Sequence, residues 1–172
     1  PADAAADPDA SPRDLLLWEH PDLPEKLPVF PPRKAEAGEV LGGFRLTPTT
    51  AQCGIYSYMI RDAQRGILGG SIPQDLLYDE APVDEQTWEA TRLFVAHDVP
   101  QSIRRRVHGQ LVDTMVTCAR GVGATRLLSL NGDYWPRVFS RCKIDAQAIG
   151  RLCWIDDGYY QCTAINLASK MH

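Results

Sequence analysis

The sequence predicts an α/β fold in which helices cover both faces of a mixed β-sheet. Segments with strand composition alternate with segments of helical periodicity, and two adjacent strand segments close the chain. The predicted order is strand, helix, strand, helix, strand, helix and then two strands. At 172 residues, 44% of them hydrophobic, the chain is long enough to build one domain around a sizeable core.

The first half of the chain contributes two predicted strands and one helix. Apolar residues between 40 and 46 mark a strand, in which Gly42-Gly43 indicates a bulge or a close backbone approach. Apolar positions at helical spacing predict a helix over residues 54–68, and the two glycines after it are a typical stop. Residues 87–95, TWEATRLFV, are rich in β-branched and aromatic side chains and predict a strand.

A long helix follows in the second half. Asp98 is predicted to cap it, Pro100 to begin it, and the glycines at 121 and 123 to end it. The remaining elements are a strand over 125–131, a short helix or turn over 134–142, and strands over 147–155 and 159–168. The turn Asp156-Asp157-Gly158 joins the last two strands.

Composition and charge exclude several classes of function. A net charge of -4 argues against bulk binding to nucleic acid, which requires a basic surface. No apolar run approaches the roughly 18 residues of a membrane span, and no signal peptide is visible, so we expect a soluble cytoplasmic protein. Residues 1–12, rich in Ala, Asp and Pro, predict a mobile tail before a single domain over 13–172.

The cysteines and histidines do not indicate a metal site. The five cysteines lack any CxxC spacing and lie in apolar segments, which favours buried, reduced thiols. The four histidines are scattered, and none stands at ligand spacing from another histidine or a cysteine. We therefore predict no bound metal.

Two motifs and their spacing carry a resemblance to a known family. RLTPTT at residues 45–50 is followed by WEATR at 88–92, then by the capped helix and the strand GAT-x-LLSL. Together they resemble the acyl-homoserine-lactone synthases, bacterial autoinducer synthases related in fold to Gcn5-type N-acetyltransferases. The resemblance covers residues 38–168 and implies an acetyltransferase-like α-β-α sandwich around a mixed, twisted sheet.

The resemblance also implies a reaction. In this family the α-amine of S-adenosylmethionine attacks an acyl thioester on acyl carrier protein or coenzyme A, and the acyl-amide closes to a lactone, the quorum-sensing signal, with release of methylthioadenosine. It implies no permanently bound cofactor, because adenosylmethionine and the thioester are substrates, and it makes acyl carrier protein the expected partner. Two alternatives stay open: another N-acyltransferase of the same fold that uses acyl-coenzyme A, or a non-catalytic relative that binds the acyl carrier.

The family also carries an N-terminal cap that closes over adenosylmethionine with an arginine, a phenylalanine and a tryptophan. Trp18 is the only tryptophan before Arg45. We therefore expect part of this cap to be absent from the sequence, which bears on whether the chain is active.

Glu89 is the candidate base. An α-amine has a pKa of about 8, so a carboxylate, acting directly or through one water, suffices to deprotonate it near neutral pH. On a regular strand Glu89 and Arg92 point to opposite faces, and only a bulge would bring them to one side. The resemblance implies that Arg45 and Arg92 belong to an ion-pair network that shapes the adenosylmethionine site, with Asp22 and Glu25 as its acidic members.

Two further groups complete the predicted site. Arg104, Arg105 and Arg106 form a basic run suited to docking an acidic carrier protein, although a solvated helix face is the simpler interpretation. Six apolar residues could line an acyl pocket, or could simply belong to the core: Phe94, Leu128, Leu130, Trp135, Phe139 and Trp154.

Overall fold

The computed structural model describes residues 40–168 and contains five strands and three helices in that range. Their bounds are Gly42–Pro48 (β1), Met59–Gln64 (α1), Thr87–Val95 (β2), Gln101–Gly121 (α2), Arg126–Gly132 (β3), Trp135–Arg141 (α3), Ala146–Ile155 (β4) and Gly158–Asn166 (β5). The predicted order of elements is confirmed. The predicted tail over residues 1–12 lies outside the described residues.

The five strands form one mixed sheet in the order β1-β2-β3-β5-β4. β2 and β3 run parallel, which requires a long crossover, and α2 provides it. All other neighbours are antiparallel. The parallel pair is short: it joins only Thr87–Glu89 to residues 126–128, so beyond Glu89 and Leu128 the two strands are no longer paired.

Helices cover both faces of this sheet. On one face α2 and α3 pack against Phe44, Leu46, Ala90, Leu127 and Ile165. On the other face α1 and the segment after it pack against residues of β3, β4 and β5: Leu128, Cys153, Ile155, Cys162 and Ala164. The alternation of these residues along their strands produces the two cores, and the predicted α-β-α sandwich is confirmed.

α2 is the longest element, and it confirms the predicted helix except for its cap. Its buried positions recur at helical spacing and include Val107, Leu111 and Met115. Pro100 occupies the N-cap position, where no side chain caps the helix, so the prediction that Asp98 is the cap is wrong. Asp98 lies two residues too early for its carboxylate to take that role. No helix among residues 40–168 is long and apolar enough to cross a membrane.

α1 is much shorter than the helix predicted over residues 54–68. The segment before it forms a tight bridge in which the backbone groups of Cys53 and Tyr56 bond to each other, and Gly54 has a left-handed φ of 59°. After Gln64 the chain breaks into turns, and Gly66 again has a positive φ. Apolar spacing alone did not reveal that these residues serve turns.

The segment between α1 and β2 packs onto the edge strand β4 at a bulge. The register of β4 against β5 shifts between Ala148 and Leu152, and Gly150 lies within the shift. A Cβ atom at Gly150 would overlap the backbone carbonyl of Leu76. Ile149 accepts a hydrogen bond from the backbone N–H of Tyr78 at 3.1 Å, so the contact is made between two main chains.

Candidate active site

A cavity of about 690 Å³ lies on the α1 face of the sheet. Five charged residues line it: Arg45, Asp62, Glu89, Arg92 and Asp156. Three tyrosines and several apolar side chains form much of the remaining wall. A cavity of this size, with a few charged groups among apolar and aromatic ones, is typical of a small-molecule site. Three residues that the sequence singled out, Arg45, Glu89 and Arg92, therefore lie together.

Glu89 is held at the floor of this cavity by the first turn of α1. Only 1% of its surface is exposed. One carboxylate oxygen accepts the backbone N–H of Met59 at 2.9 Å, and the other accepts that of Ile60 at 2.8 Å. These N–H groups have no partner within the helix, so the carboxylate satisfies them and fixes where α1 begins. Each oxygen keeps a second lone pair for a substrate proton or a water.

Burial raises the pKa of the Glu89 carboxyl from 4.5 to about 7, because the charged form loses its hydration. The two backbone hydrogen bonds oppose this shift, the nearby charge of Asp62 adds to it, and Arg45 opposes it. A base with a pKa near the working pH combines a usable deprotonated fraction with a strong affinity for the proton. The environment therefore suits Glu89 to proton abstraction near neutral pH.

Arg92 lies on the same side of the sheet as Glu89, because β2 is bulged at this point. Gly43 pairs with Phe94 and Arg45 pairs with Thr91, so two residues of β2, Arg92 and Leu93, face the single Phe44 of β1. Arg92 has a left-handed φ of 54°, which a side chain adopts only under constraint. The placement expected on a regular strand, with Arg92 on the opposite face, is wrong, and the alternative of a bulge is the arrangement observed.

Arg45 flanks the same carboxylate from the neighbouring strand. It is 9% exposed. Arg45 pairs with Thr91, and Thr47 pairs with Glu89, so Arg45 lies two residues along the β1–β2 ladder from Glu89. The acidic partners predicted for the two arginines, Asp22 and Glu25, lie outside the described residues. Their part in an ion-pair network stays a prediction.

Asp62 is a functional candidate that the sequence did not indicate. It is buried and lines the cavity. Its carboxylate accepts the backbone N–H of Ser57 at 2.9 and 3.0 Å and the Ser57 hydroxyl at 2.6 Å. Within a helix predicted over 54–68, Asp62 would be one more polar residue on an amphipathic helix. The serine just before the true helix start was the available signal, since serine is typical of helix beginnings.

The six residues proposed for an acyl pocket do not form one pocket. Leu130 lines the cavity, and Leu128 belongs to the core on the same face. Trp135 and Phe139 lie in the core of the opposite face, with ring centroids 5.3 Å apart. Phe94 and Trp154 are largely exposed: the Phe94 ring lies beside Gly43, and that of Trp154 meets Tyr159 edge to face. Strand alternation and the position of α3 separate the six, which sequence order alone did not show.

The basic run on α2 is divided between two roles. The guanidinium of Arg104 donates to the carbonyl oxygen of Ala96 at 3.0 and 3.3 Å and so holds the loop that enters the helix. Arg105 and Arg106 are exposed. Only these two remain available for docking an acidic partner.

All five cysteines are free thiols, as expected, but only Cys153 and Cys162 are buried. Cys53 is exposed and lines the cavity, which contradicts the expectation that every thiol is buried. Within residues 40–168 no group of three or more His, Cys, Asp and Glu side chains could hold a metal ion.

The raised pKa of Glu89 makes stability depend on pH. Above pH 4.5 the unfolded chain releases the Glu89 proton, whereas the native protein keeps it until about pH 7. Native stability therefore falls as the pH rises through this window, by about 3 kcal/mol from this group alone. We expect urea denaturation of the wild-type chain to show this decrease and Glu89→Gln to lack it. A wild-type minus variant difference that stays constant from pH 4 to 8 would contradict the buried, raised titration.

Neither a family model nor any curated protein matches the sequence. The fold does match solved structures. TofI, in a ternary complex with an inhibitor and MTA, matches at a TM-score of 0.59 and 23% identity over 79% of this chain and 62% of its own. The AHL synthase LasI matches at a TM-score of 0.62 and 18% identity, and the match covers 78% of this chain and 62% of LasI. MesI, a CoA-dependent acyl-homoserine lactone synthase, matches at a TM-score of 0.57 and 21% identity, and the match covers 76% of this chain and 58% of MesI.

In each case the matched part spans less than two thirds of the solved structure. At these identities the comparison concerns the fold, and it agrees with the resemblance that the motifs at residues 45–50 and 88–92 carry. The described chain has the fold of the acyl-homoserine lactone synthases.

Proposed function

We propose that this chain catalyses acyl transfer from an acyl thioester to the α-amine of S-adenosylmethionine, followed by lactone closure, and so produces an acyl-homoserine lactone signal. The observation that carries the proposal is Glu89, a buried carboxylate with a pKa of about 7 that opens into a cavity between two arginines. The shared fold with LasI and MesI supports it, as does the MTA in the TofI complex.

The proposed reaction begins with a proton transfer to Glu89 and ends with lactone closure. Glu89 accepts a proton from the substrate ammonium group, and the amine nitrogen then attacks the thioester carbonyl carbon. The carbon–sulfur bond breaks, and the thiolate leaves as a thiol after taking the second amine proton. A substrate carboxylate oxygen next attacks the carbon bonded to the sulfonium sulfur, which closes the lactone and releases methylthioadenosine.

Arg45 and Arg92 are suited to the carboxylate of this substrate. Both arginines line the cavity that Glu89 also lines, and a guanidinium can bind a carboxylate through two parallel hydrogen bonds. Among residues 40–168 no carboxylate forms an ion pair with Arg92. In this proposal the bulge in β2 turns that side chain toward a substrate anion rather than toward the core.

The test is incubation of the full chain with adenosylmethionine and a panel of acyl thioesters, followed by mass spectrometry. Acyl-homoserine lactone and methylthioadenosine in equal amounts are the expected products. If no lactone forms and a parallel incubation with other primary amines yields their acyl-amides, another N-acyltransferase of the same fold is favoured. Binding of an acyl carrier without any product would favour the non-catalytic relative.

For the donor we propose acyl carrier protein, docked on the exposed arginines of α2. Arg105 and Arg106 place two positive charges near the start of the helix that follows the Glu89 strand, and acyl carrier proteins are acidic. The same segment lacks a glycine-rich loop whose backbone amides could approach a pyrophosphate, which favours the carrier over coenzyme A.

Reversal of these two charges should weaken only the use of the carrier. We expect Arg105→Glu/Arg106→Glu to raise KM for acyl carrier protein about tenfold, since each exposed pair contributes up to about 1 kcal/mol. KM for the same acyl chain on pantetheine, which has no phosphate, should not change. Arg126→Glu, an exposed charge at the start of β3, is the matched control. An equal rise in KM for both donors would rule out carrier docking at this surface.

A further inference from the structure

Asp62 is the second buried carboxylate of the cavity and takes no part in the proposed reaction. Both of its oxygens accept the backbone N–H of Ser57, and one also accepts the hydroxyl of that serine. The guanidinium of Arg65, which is largely exposed, lies 3.8 Å from it. A buried carboxylate is costly unless hydrogen bonds compensate its lost hydration, so its presence beside a cavity calls for a reason.

Asp62 and Glu89 are fastened to the same short stretch of backbone. Asp62 holds the N–H of Ser57, while Glu89 holds the N–H groups of Met59 and Ile60. Together the two carboxylates fix the turn over residues 57–60, which carries the two backbone donors to Glu89 found among residues 40–168. A change at Asp62 therefore reaches Glu89 through this turn.

Charges of both signs surround Glu89, and they come from different elements of the fold. Arg45 from β1 and Arg92 from β2 are positive, whereas Asp62 from α1 and Asp156 from the β4–β5 turn are negative and line the same cavity. Tyr58, the N-cap residue of α1, also lines the cavity, and Cys162 of β5 lies close enough to Glu89 to sense its charge. Burial, and after it the Glu89 charge, raises the pKa of both groups. A second carboxylate near a first disfavours its ionised form.

We propose that Asp62 is a positioning residue for the base: it fixes the backbone turn that orients Glu89 and places a second negative charge beside it. The inference rests on the proposed function, in which Glu89 takes the proton of the substrate ammonium group. The charge of Asp62 strengthens the affinity of Glu89 for that proton. The hydrogen bonds of Asp62 to Ser57 hold the turn over residues 57–60, and this turn orients the Glu89 carboxylate toward the cavity.

The charge and the geometry can be separated by two substitutions. Asp62→Asn removes the charge and keeps a side-chain oxygen for the Ser57 N–H. Ser57→Ala removes the hydroxyl donor and keeps both charges. We expect Asp62→Asn to move the acid limb of kcat/KM to lower pH, by on the order of half a unit, and to lower the plateau above pH 8, because the base is weaker. The two pH profiles therefore cross.

Ser57→Ala should lower the plateau without moving the limb. Asp62→Glu keeps the charge and should leave the acid limb of kcat/KM in place. If Asp62→Asn does not fold, Asp62→Ser serves as a second variant that lacks the charge. A purely structural role would lower activity in every variant and shift none of the profiles. An acid limb that stays fixed in the folded variants that lack the Asp62 charge would overturn the proposal.

An infrared titration of the full chain separates this inference from the proposed function. The carbonyl band of protonated Glu89, identified by its loss in Glu89→Gln, should disappear near pH 7 in the wild-type chain and at lower pH in Asp62→Asn. If the chain forms no lactone, the proposed function fails while this midpoint still decides whether Asp62 acts on Glu89. If lactone forms and the midpoint is the same in both proteins, the inference fails and the function stands.

Discussion

Glu89→Gln should reduce lactone formation by about 10²–10⁴-fold while the protein remains folded. Glutamine has nearly the same shape, but it cannot accept a proton at neutral pH, and one end of its amide can no longer accept the N–H of Met59 or Ile60. The chemical step therefore loses its base. The measurement is the initial rate of methylthioadenosine release at saturating substrates, at pH 8.

Two controls separate lost chemistry from lost structure. Glu85→Gln changes an exposed carboxyl four residues earlier and should leave the rate unchanged. Binding of methylthioadenosine to Glu89→Gln should stay within a few-fold of the wild-type value, because the arginines and tyrosines of the cavity are intact. A variant with the wild-type rate would remove Glu89 from the mechanism.

Gly150→Ala is expected to have the largest effect on stability, a loss of about 3 kcal/mol or more in the free energy of unfolding. The added methyl group would overlap the backbone carbonyl of Leu76, and a carbonyl cannot turn aside as a flexible side chain can. The segment between α1 and β2 must then leave the β4 bulge and lose the bond between Tyr78 and Ile149. Denaturant titration measures the loss.

Gly109→Ala is the matched control, with an expected change of opposite sign. Gly109 lies inside α2, and a Cβ atom there would meet nothing within 4 Å. Alanine should therefore stabilise the helix by up to about 1 kcal/mol, since glycine is the poorer helix former. Equal stabilities of the two variants would show that the segment does not pack on β4 as described.

Sequence reasoning reached the strands and α2 because each has one dominant pattern. The β-branched and aromatic composition of TWEATRLFV and the apolar spacing of α2 leave little choice of structure. Glu89 was identified because the motif at residues 88–92 resembles that of the synthase family, and its apolar strand neighbours favoured a buried position. The general-base chemistry of a carboxylate then agreed with the reaction that the resemblance implies.

The errors have a common origin in contacts made across the sequence. The start of α1 depends on the carboxylate of Glu89, some thirty residues later, so apolar spacing over 54–68 could not locate it. The side of the sheet that Arg92 faces depends on a bulge set by the pairing of β2 with β1. The residues proposed for the acyl pocket are all apolar, but they lie on opposite faces of the sheet or on its surface. Only the assembled sheet shows this separation.

The short parallel pairing of β2 with β3 divides the sheet into two mechanical halves. β1 and β2 form one antiparallel unit and β3, β5 and β4 another, and three residue pairs form the ladder between them. Such a seam has the fewest hydrogen bonds to distort, so it is the line along which the halves can shift at least cost. The cavity that Glu89 lines therefore lies at the end of the shortest ladder of the sheet, where β2 and β3 stop pairing.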